Sequence, residues 1–311
     1  MSELMMQAIV VNDYGAADQL HIKSIARPVP QAGQVLVHVY AAGVHPVDWK
    51  LRGGLYKAMM PLTFPWTPGQ DGSGIVESVG PGVNGFPPGQ AVYGRFSGSF
   101  AEYAIASVAD LAPKPDNLSF DQAAAVPVGA LTAWGVVIDA AAVQLGQTVL
   151  VQGAAGGVGL FAVQLARWKG AHVIGTTSAK NVDFVRSLGA EEVIDYQADP
   201  FEMSVHDVDA VIDTVGGDVT ERSLHVLRPG GIFVTVANMT PEEQAKALGV
   251  RVARGSRPGA DVLCQITELI ESGKIHPVVG PVFSLAEAGK AQVQGETGHG
   301  RGRIILHITD A

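Results

Sequence analysis

Val35 to Ala41 runs Val-Leu-Val-His-Val-Tyr-Ala, the period-2 pattern of a half-buried strand. Ala8 to Val11, Gly74 to Val79 and Gln90 to Tyr93 are further short apolar strands, separated by Pro-Gly and Gly-Val-Asn-Gly turn signals. No long helical period occurs in the first 120 residues. The pattern predicts an antiparallel or barrel-like β region. Near residue 120 the pattern changes. Ser119 is placed to cap a helix starting around Asp121, and Ala-rich sequence continues to about Ala142.

Apolar strands then alternate with amphipathic helices. Strands are predicted at Thr148–Gln152, His172–Thr176, Glu192–Asp195, Ala210–Asp213 and Gly231–Val236. Helices are predicted at Gly157–Lys169, Asn181–Leu188 and Val219–Leu227. Such alternation implies a parallel sheet covered by helices on both faces. Another helix is predicted at about Ala260–Glu271, then two short strands flanking a last helix, Leu285–Gln294. No repeat at solenoid periods appears.

Length supports this division, since 311 residues at roughly 150 per domain give about two domains. With 47% hydrophobic and 16% charged residues, the chain is too apolar for disorder. Its 21 Lys and Arg stand against 30 Asp and Glu, a formal net charge of −9. That balance argues against nucleic acid and against anionic membrane surfaces, whose affinity comes largely from cations. The single cysteine, Cys264, excludes an intramolecular disulfide and a Cys-rich zinc site. The first residues lack a basic region followed by an apolar stretch, and no apolar run reaches about 20 residues. A cytoplasmic protein is therefore expected.

The strongest local signal is Val149-Leu-Val-Gln-Gly153-Ala-Ala-Gly156-Gly157-Val158-Gly159. A buried strand enters a glycine cluster and an apolar helix follows, the order required of a dinucleotide-binding turn. An early Gly permits the bend, a middle one lets backbone approach a pyrophosphate, and a late one lets helix and strand pack closely. The helix N-terminus offers amides to the phosphates. Gly153, Gly156, Gly157 and Val158 are thus candidate cofactor contacts. The next strand ends Gly175-Thr176-Thr177-Ser178-Ala179-Lys180, without the acid that holds an NAD ribose. Thr176, Ser178 and Lys180 suit a 2′-phosphate, so NADPH is favoured; a solvated Lys180 at a helix start is the plain alternative.

Six motifs follow one another in order: Ala41-Ala-Gly-Val-His-Pro-Val-Asp-Trp-Lys50, Pro68-Gly-Gln-Asp71, Gly129-Ala-Leu-Thr-Ala-Trp134, the glycine turn, Asp213-Thr-Val-Gly-Gly217 and Arg228-Pro-Gly-Gly231. Together they resemble the zinc-independent quinone oxidoreductases of the medium-chain dehydrogenase/reductase superfamily. The resemblance implies an α/β chain with a GroES-like β-rich catalytic domain (1–122 and 275–311) and a Rossmann-type, doubly wound parallel-sheet cofactor domain (123–274). It also implies an active site in the cleft between them and a homodimer.

Zinc-dependent relatives carry Gly-x-Cys-His-x-Asp and Gly-His-Glu. Here Gly43-Val-His45-Pro-Val-Asp48 and Gly69-Gln70-Asp71 replace them. A catalytic zinc needs about three protein ligands, so no metal is expected. The resemblance further places Lys50 at the nicotinamide ribose, Tyr196 near the adenosine and its phosphate, and Thr132, Val215 and Val236 along the nicotinamide side. Thr132 is equally read as a helix-interior hydroxyl, and the two valines as core. The tail Gly298-His-Gly-Arg301-Gly-Arg303 resembles a turn that approaches the cofactor, although both arginines also suit a solvated surface.

Most members have Asn where this chain has His45. A proton donor, a hydrogen-bond donor to substrate and a packed histidine are the three open readings. Without zinc, hydride delivery to a quinone or to the β-carbon of an α,β-unsaturated carbonyl fits best. His45, Tyr56, backbone amides or water then meet the charge on the carbonyl oxygen. Trp49, Tyr56, Phe64 and Trp66 form an aromatic set suited to a flat apolar substrate, or else to core packing. An enoyl-thioester reductase and a non-catalytic NADPH-binding protein are the competing classes.

Overall fold

The structure is a computed structural model that describes residues 4–237 and 240–310, so the N-terminal reading above lies partly outside it. The chain forms two compact units. The first runs through Val128 and takes in Gly259–Glu271 and the chain from Pro277; the second comprises Gly129–Pro258 and Ser272–His276.

In the first unit, β1 (Met5–Val10) and β2 (His21–Ala26) pair as an antiparallel hairpin. The long strand β3 (Gln34–Val44) leads into helix α1 (Pro46–Arg52), followed by β4 (Asp71–Val79), β5 (Ala91–Arg95), β6 (Tyr103–Ser107) and β7 (Leu111–Pro113). The alternation read in β3 sorts its side chains to two cores. Val35, Val37 and Val39 pack with Val76, Val92 and Leu111, whereas Leu36 packs with Ala8 and Tyr103. Helix α1, too short to leave a helical period, begins with Pro46 at its first position, where a missing N–H costs nothing.

Ser119 caps a helix as predicted. Its Oγ accepts from Gln122 N at 3.2 Å, and Gln122 Oε1 accepts from Ser119 N at 2.9 Å. The single long helix predicted from there is broken into α2 (Phe120–Ala124), α3 (Pro127–Trp134) and a π-helical turn, Gly135–Ala140. Pro127 has no N–H for the ladder, and this divides the run. By length and composition alone the stretch Phe120–Ala140 would span a membrane, longer than any apolar run read in the sequence. Most of its apolar window is buried in the protein, as in a core helix.

The second unit contains β8 (Thr148–Gln152), α4 (Gly159–Trp168), β9 (His172–Thr177), α5 (Val182–Ser187) and β10 (Glu192–Asp195). It continues with β11 (Val208–Asp213), α6 (Asp218–Leu224), β12 (Leu227–Thr235), α7 (Glu242–Ala247) and β13 (Arg251–Arg254). All six strands run parallel in the order β10-β9-β8-β11-β12-β13. The order reverses between β8 and β11, which is where ligands of doubly wound sheets bind. Neither α7 nor β13 was predicted: α7 is short and polar, and β13 has arginines at both ends.

The chain then returns to the first unit through α8 (Ala260–Glu271), β14 (Val279–Ser284), α9 (Ala288–Glu296) and β15 (Arg303–His307), which pairs with β3. The sequence reading put α8 in the cofactor domain. Contacts group it with the first unit, where Tyr93 Oη meets Thr267 Oγ1 at 2.8 Å and Asn117 Nδ2 donates to Ile270 O at 3.3 Å. The crossing likewise falls between Val128 and Gly129 rather than at residue 122.

Candidate cofactor edge and buried polar centre

At the end of β8, Gly153 turns with φ +70°, a conformation that suits only glycine readily. A Cβ there would stand 2.7 Å from Thr214 Oγ1, and one at Gly159 would stand 2.2 Å from Gly153 O. Gly156 N donates to Gly153 O at 3.0 Å, closing the turn. The first turn of α4 closes on the glycine turn itself: Leu160 N donates to Gly156 O and Ala162 N to Val158 O, both at 3.0 Å. Thr176, read as a cofactor contact, is buried. Its Oγ1 donates to Gln152 Oε1 at 2.6 Å and accepts from Gly153 N at 3.2 Å, so it braces the turn from behind.

The other strand ends complete this edge. Asp213 is fully buried, and its Oδ1 accepts from Val215 N and Gly216 N, both at 2.9 Å. Its Oδ2 accepts from Thr220 Oγ1 at 2.9 Å and Thr235 Oγ1 at 3.3 Å. The bent loop leaves Val215 53% exposed, while Val236 after β12 is 40% exposed and Tyr196 after β10 is 47% exposed. They are not core valines. These exposed apolar side chains, after β10, β11 and β12, offer contact area to a ligand lying along this edge.

Across the reversal point, Ser178 is half-buried and Lys180 exposed. On α3, a Cβ at Gly129 would stand 2.3 Å from Gly157 O, so the helix lies close against the glycine turn. Thr132, half-buried, comes one turn later on the same face. These cradles, which a Cβ would fill, and the exposed apolar rim fit a dinucleotide.

In the first unit the motif residues converge on a buried polar centre. His45 is 2% exposed, and its Nε2 lies 2.6 Å from Asp71 Oδ1. The other oxygen, Asp71 Oδ2, accepts from Val128 N at 3.0 Å. His45 N donates to Asp48 Oδ2 at 2.7 Å, and Arg303 Nη1 donates to Val44 O at 3.2 Å. Burial pushes the Asp48 carboxyl up to about 6, with His45 acting against it. Burial also lowers the Arg303 guanidinium from its ordinary value, opposed by Asp71 and Asp48. Gly43 makes room for the pair, since a Cβ there would stand 2.6 Å from Asp71 Oδ1 and 2.8 Å from His45 Nε2.

Thus His45 has its ring closed in, and Arg303 is not a solvated charge. Asp71, read only as the remnant of a metal motif, is central to the cluster. Its signal was the pair of glycine-containing motifs, but the contact with Val128 is visible only in three dimensions. Gln70 is half-buried. Among the described residues, no group of three or more His, Cys, Asp or Glu side chains is arranged to hold a metal.

The aromatic residues have separate surroundings. Trp49 packs toward α9, where a Cβ at Gly295 would stand 2.7 Å from its ring. It is part of the core rather than a free substrate wall. Phe64 meets Tyr14 edge-on at 5.0 Å, and Trp66 pairs through its backbone with Val11. Tyr56 is half-buried in the loop after α1, between exposed Leu55 and exposed Met59 and Met60. Lys50 is half-buried on α1.

Residues 31–116 match the alcohol dehydrogenase GroES-like domain, and residues 188–306 match the zinc-binding dehydrogenase family. The chain is 35% identical to a quinone oxidoreductase of Mus musculus, over 97% of this chain and 98% of the relative. It is also 35% identical to an NADPH-dependent alkenal/one oxidoreductase, chloroplastic, of Arabidopsis thaliana, over 97% and 79%. A solved quinone oxidoreductase from Coxiella burnetii superposes with TM-score 0.91 at 34% identity, covering 98% of this chain and 100% of that one. A mycobacterial protein solved in complex with NADPH superposes with TM-score 0.89 at 30% identity, covering 97% and 99%.

Proposed function

The chain belongs to the quinone oxidoreductase family of the medium-chain dehydrogenase/reductase superfamily, and from that premise we propose that it reduces quinones or α,β-unsaturated carbonyls with NADPH and without zinc. The observation that carries this reading is the carboxyl edge of the parallel sheet. Gly153 and Gly159 leave no room for side chains there, Val215 stands exposed beside Gly153, and Val236 and Tyr196 stand exposed at other strand ends of the same sheet. Bound NADPH supplies a hydride, the two-electron reductant of the reaction.

The residues of this chain bind, orient and stabilise. Amides of the glycine turn just before α4, those of Gly157 and Val158, meet the pyrophosphate. Ser178 and Lys180, with no carboxylate on the end of β9, take the 2′-phosphate. Lys50 and Thr132 orient the nicotinamide half. When hydride reaches the acceptor, negative charge gathers on its carbonyl oxygen and needs a donor. The Tyr56 hydroxyl, on a partly open loop, suits that task better than the enclosed His45 ring. Zinc independence is supported by His45 and Gln70 at the former ligand positions.

The test is NADPH oxidation over a panel of quinones, enones, 2-alkenals and enoyl thioesters. Turnover is expected with quinones or enones, and Tyr56→Phe is expected to lower it by about 10²–10³, the scale for one lost donor to a developing oxyanion. Turnover confined to thioesters would move the protein to a different acceptor class. No turnover with any acceptor, despite tight NADPH binding, would leave a non-catalytic binding protein.

A further inference from the structure

Asp71 is fully buried, and its two carboxylate oxygens do different work. Oδ1 holds the His45 ring at 2.6 Å. His45 precedes α1, and its backbone N–H is fixed by Asp48 at 2.7 Å, so orienting His45 orients the start of that helix. Oδ2 accepts from Val128 N at 3.0 Å, inside the first turn of α3. There a carboxylate satisfies an otherwise orphaned amide and faces the positive end of the helix. Val128 is also the last residue before the chain passes into the second unit. Gly43 keeps the space in which the carboxylate and ring meet.

We propose that Asp71 is a positioning residue that sets two helices at once: α1, which carries Lys50, through His45, and α3, which carries Thr132, through Val128. The roles of Lys50 and Thr132 rest on the reductase reading above; the clamp itself does not. With both Asp71 oxygens used as acceptors, one by Val128 N and one by the ring, the shared bond is donated by Nε2 of His45. The buried Arg303, whose guanidinium feels Asp71 and Asp48, balances charge around this carboxylate.

The experiment compares Asp71→Asn, Asp71→Ala and His45→Asn, alone and as the Asp71→Asn/His45→Asn double variant, in the full chain. Three readouts are used: amide exchange at Val128, ¹⁵N chemical shifts of the His45 ring, and the NADPH dissociation constant by fluorescence. Asp71→Ala loses both bonds, and Val128 exchange is expected to accelerate by about tenfold or more. Asp71→Asn keeps one oxygen for Val128 and presents N–H to His45. Val128 protection should then stay within about threefold, while the ring proton moves from Nε2 to Nδ1. NADPH binding is expected to weaken by about tenfold in Asp71→Asn. In the His45→Asn background the same change should cost less than about twofold, because the branch through His45 is already gone.

Equal losses in both backgrounds would overturn the action through His45. Wild-type NADPH affinity in Asp71→Asn would overturn the arm through His45 and α1, and unchanged Val128 exchange in Asp71→Ala would overturn the arm through α3; if Asp71→Ala fails to fold, the isosteric variant still decides the first. If the ring and amide signals respond as expected but the wild type reduces no acceptor, the clamp stands and the reductase reading falls.

Discussion

At the carboxyl edge of the parallel sheet the important atoms are backbone, and side chains are missing where they would intrude. Gly153 and Gly159 are closed to a Cβ, and the apolar Val215 and Val236 stand in solvent. At the polar centre of the first unit the important atoms are side chains with water removed. His45, Asp48, Asp71 and Arg303 are all buried, and their bonds span three residues of sequence from His45 to Asp48, 26 from His45 to Asp71 and 259 from Val44 to Arg303. The backbone of a ligand edge is sensitive above all to added volume. A buried polar centre is sensitive to every atom that changes its charge or its hydrogen bonds.

The largest effect expected is steric. Gly159→Ala places a methyl 2.2 Å from a backbone oxygen that has nowhere to go. We expect it to cost about 3 kcal/mol or more in thermal unfolding and to abolish measurable NADPH binding. An alanine variant with wild-type melting and affinity would erase the difference between the two regions.

The next effect sharpens the polar side. Asp48 holds its proton up to about pH 6 in the folded chain, whereas an unfolded aspartate releases it near 3.8. The native state therefore binds more protons between these values. The stability contributed by Asp48 is complete below the lower value and is lost as pH rises through the upper one. Relative to Asp48→Asn, the wild type should lose about 3 kcal/mol between about pH 3.5 and about pH 7.5 in urea unfolding. A constant gap between the two proteins across that range would show that Asp48 is not buried as described.

A smaller effect belongs to the open edge. Lys180→Ala should weaken NADPH by about 1–3 kcal/mol and leave NADH nearly unchanged, as measured by fluorescence titration of both. Equal weakening would remove the 2′-phosphate from Lys180. The smallest effect expected is none at all: prolonged dialysis against a chelator should leave turnover intact. Activity that disappears and returns with added zinc would return the polar centre to metal chemistry.

How much could be read from the chain follows the same division. The glycine turn, the strand ends and the βαβ alternation were legible because they depend on local backbone demands. Val215 and Val236 were placed at the cofactor by resemblance, and their exposure distinguishes them from core. The polar centre was only half legible. His45 and Asp71 were visible as altered motifs, but Arg303 was read either in a turn approaching the cofactor or as a solvated surface charge, because nothing local marks a guanidinium that β15 carries beside β3. Thr176 shows the opposite case: its position at the end of a strand suggested a ligand contact, while its hydroxyl is used by Gln152 and Gly153. The breaks at Pro127 and the docking of α8 depend on contacts far apart in sequence.

Gly43 has a consequence for how this chain can change over time. Its missing methyl is the space occupied by two other side chains, so its tolerance to mutation depends on the state of both. Alanine at 43 is closed while histidine and aspartate remain at 45 and 71, and opens only after both have given way to smaller groups. Once alanine is fixed, the return of either original side chain is blocked. Position 43 is therefore locked by the other two, and the order of substitutions decides which lineages can keep the pair.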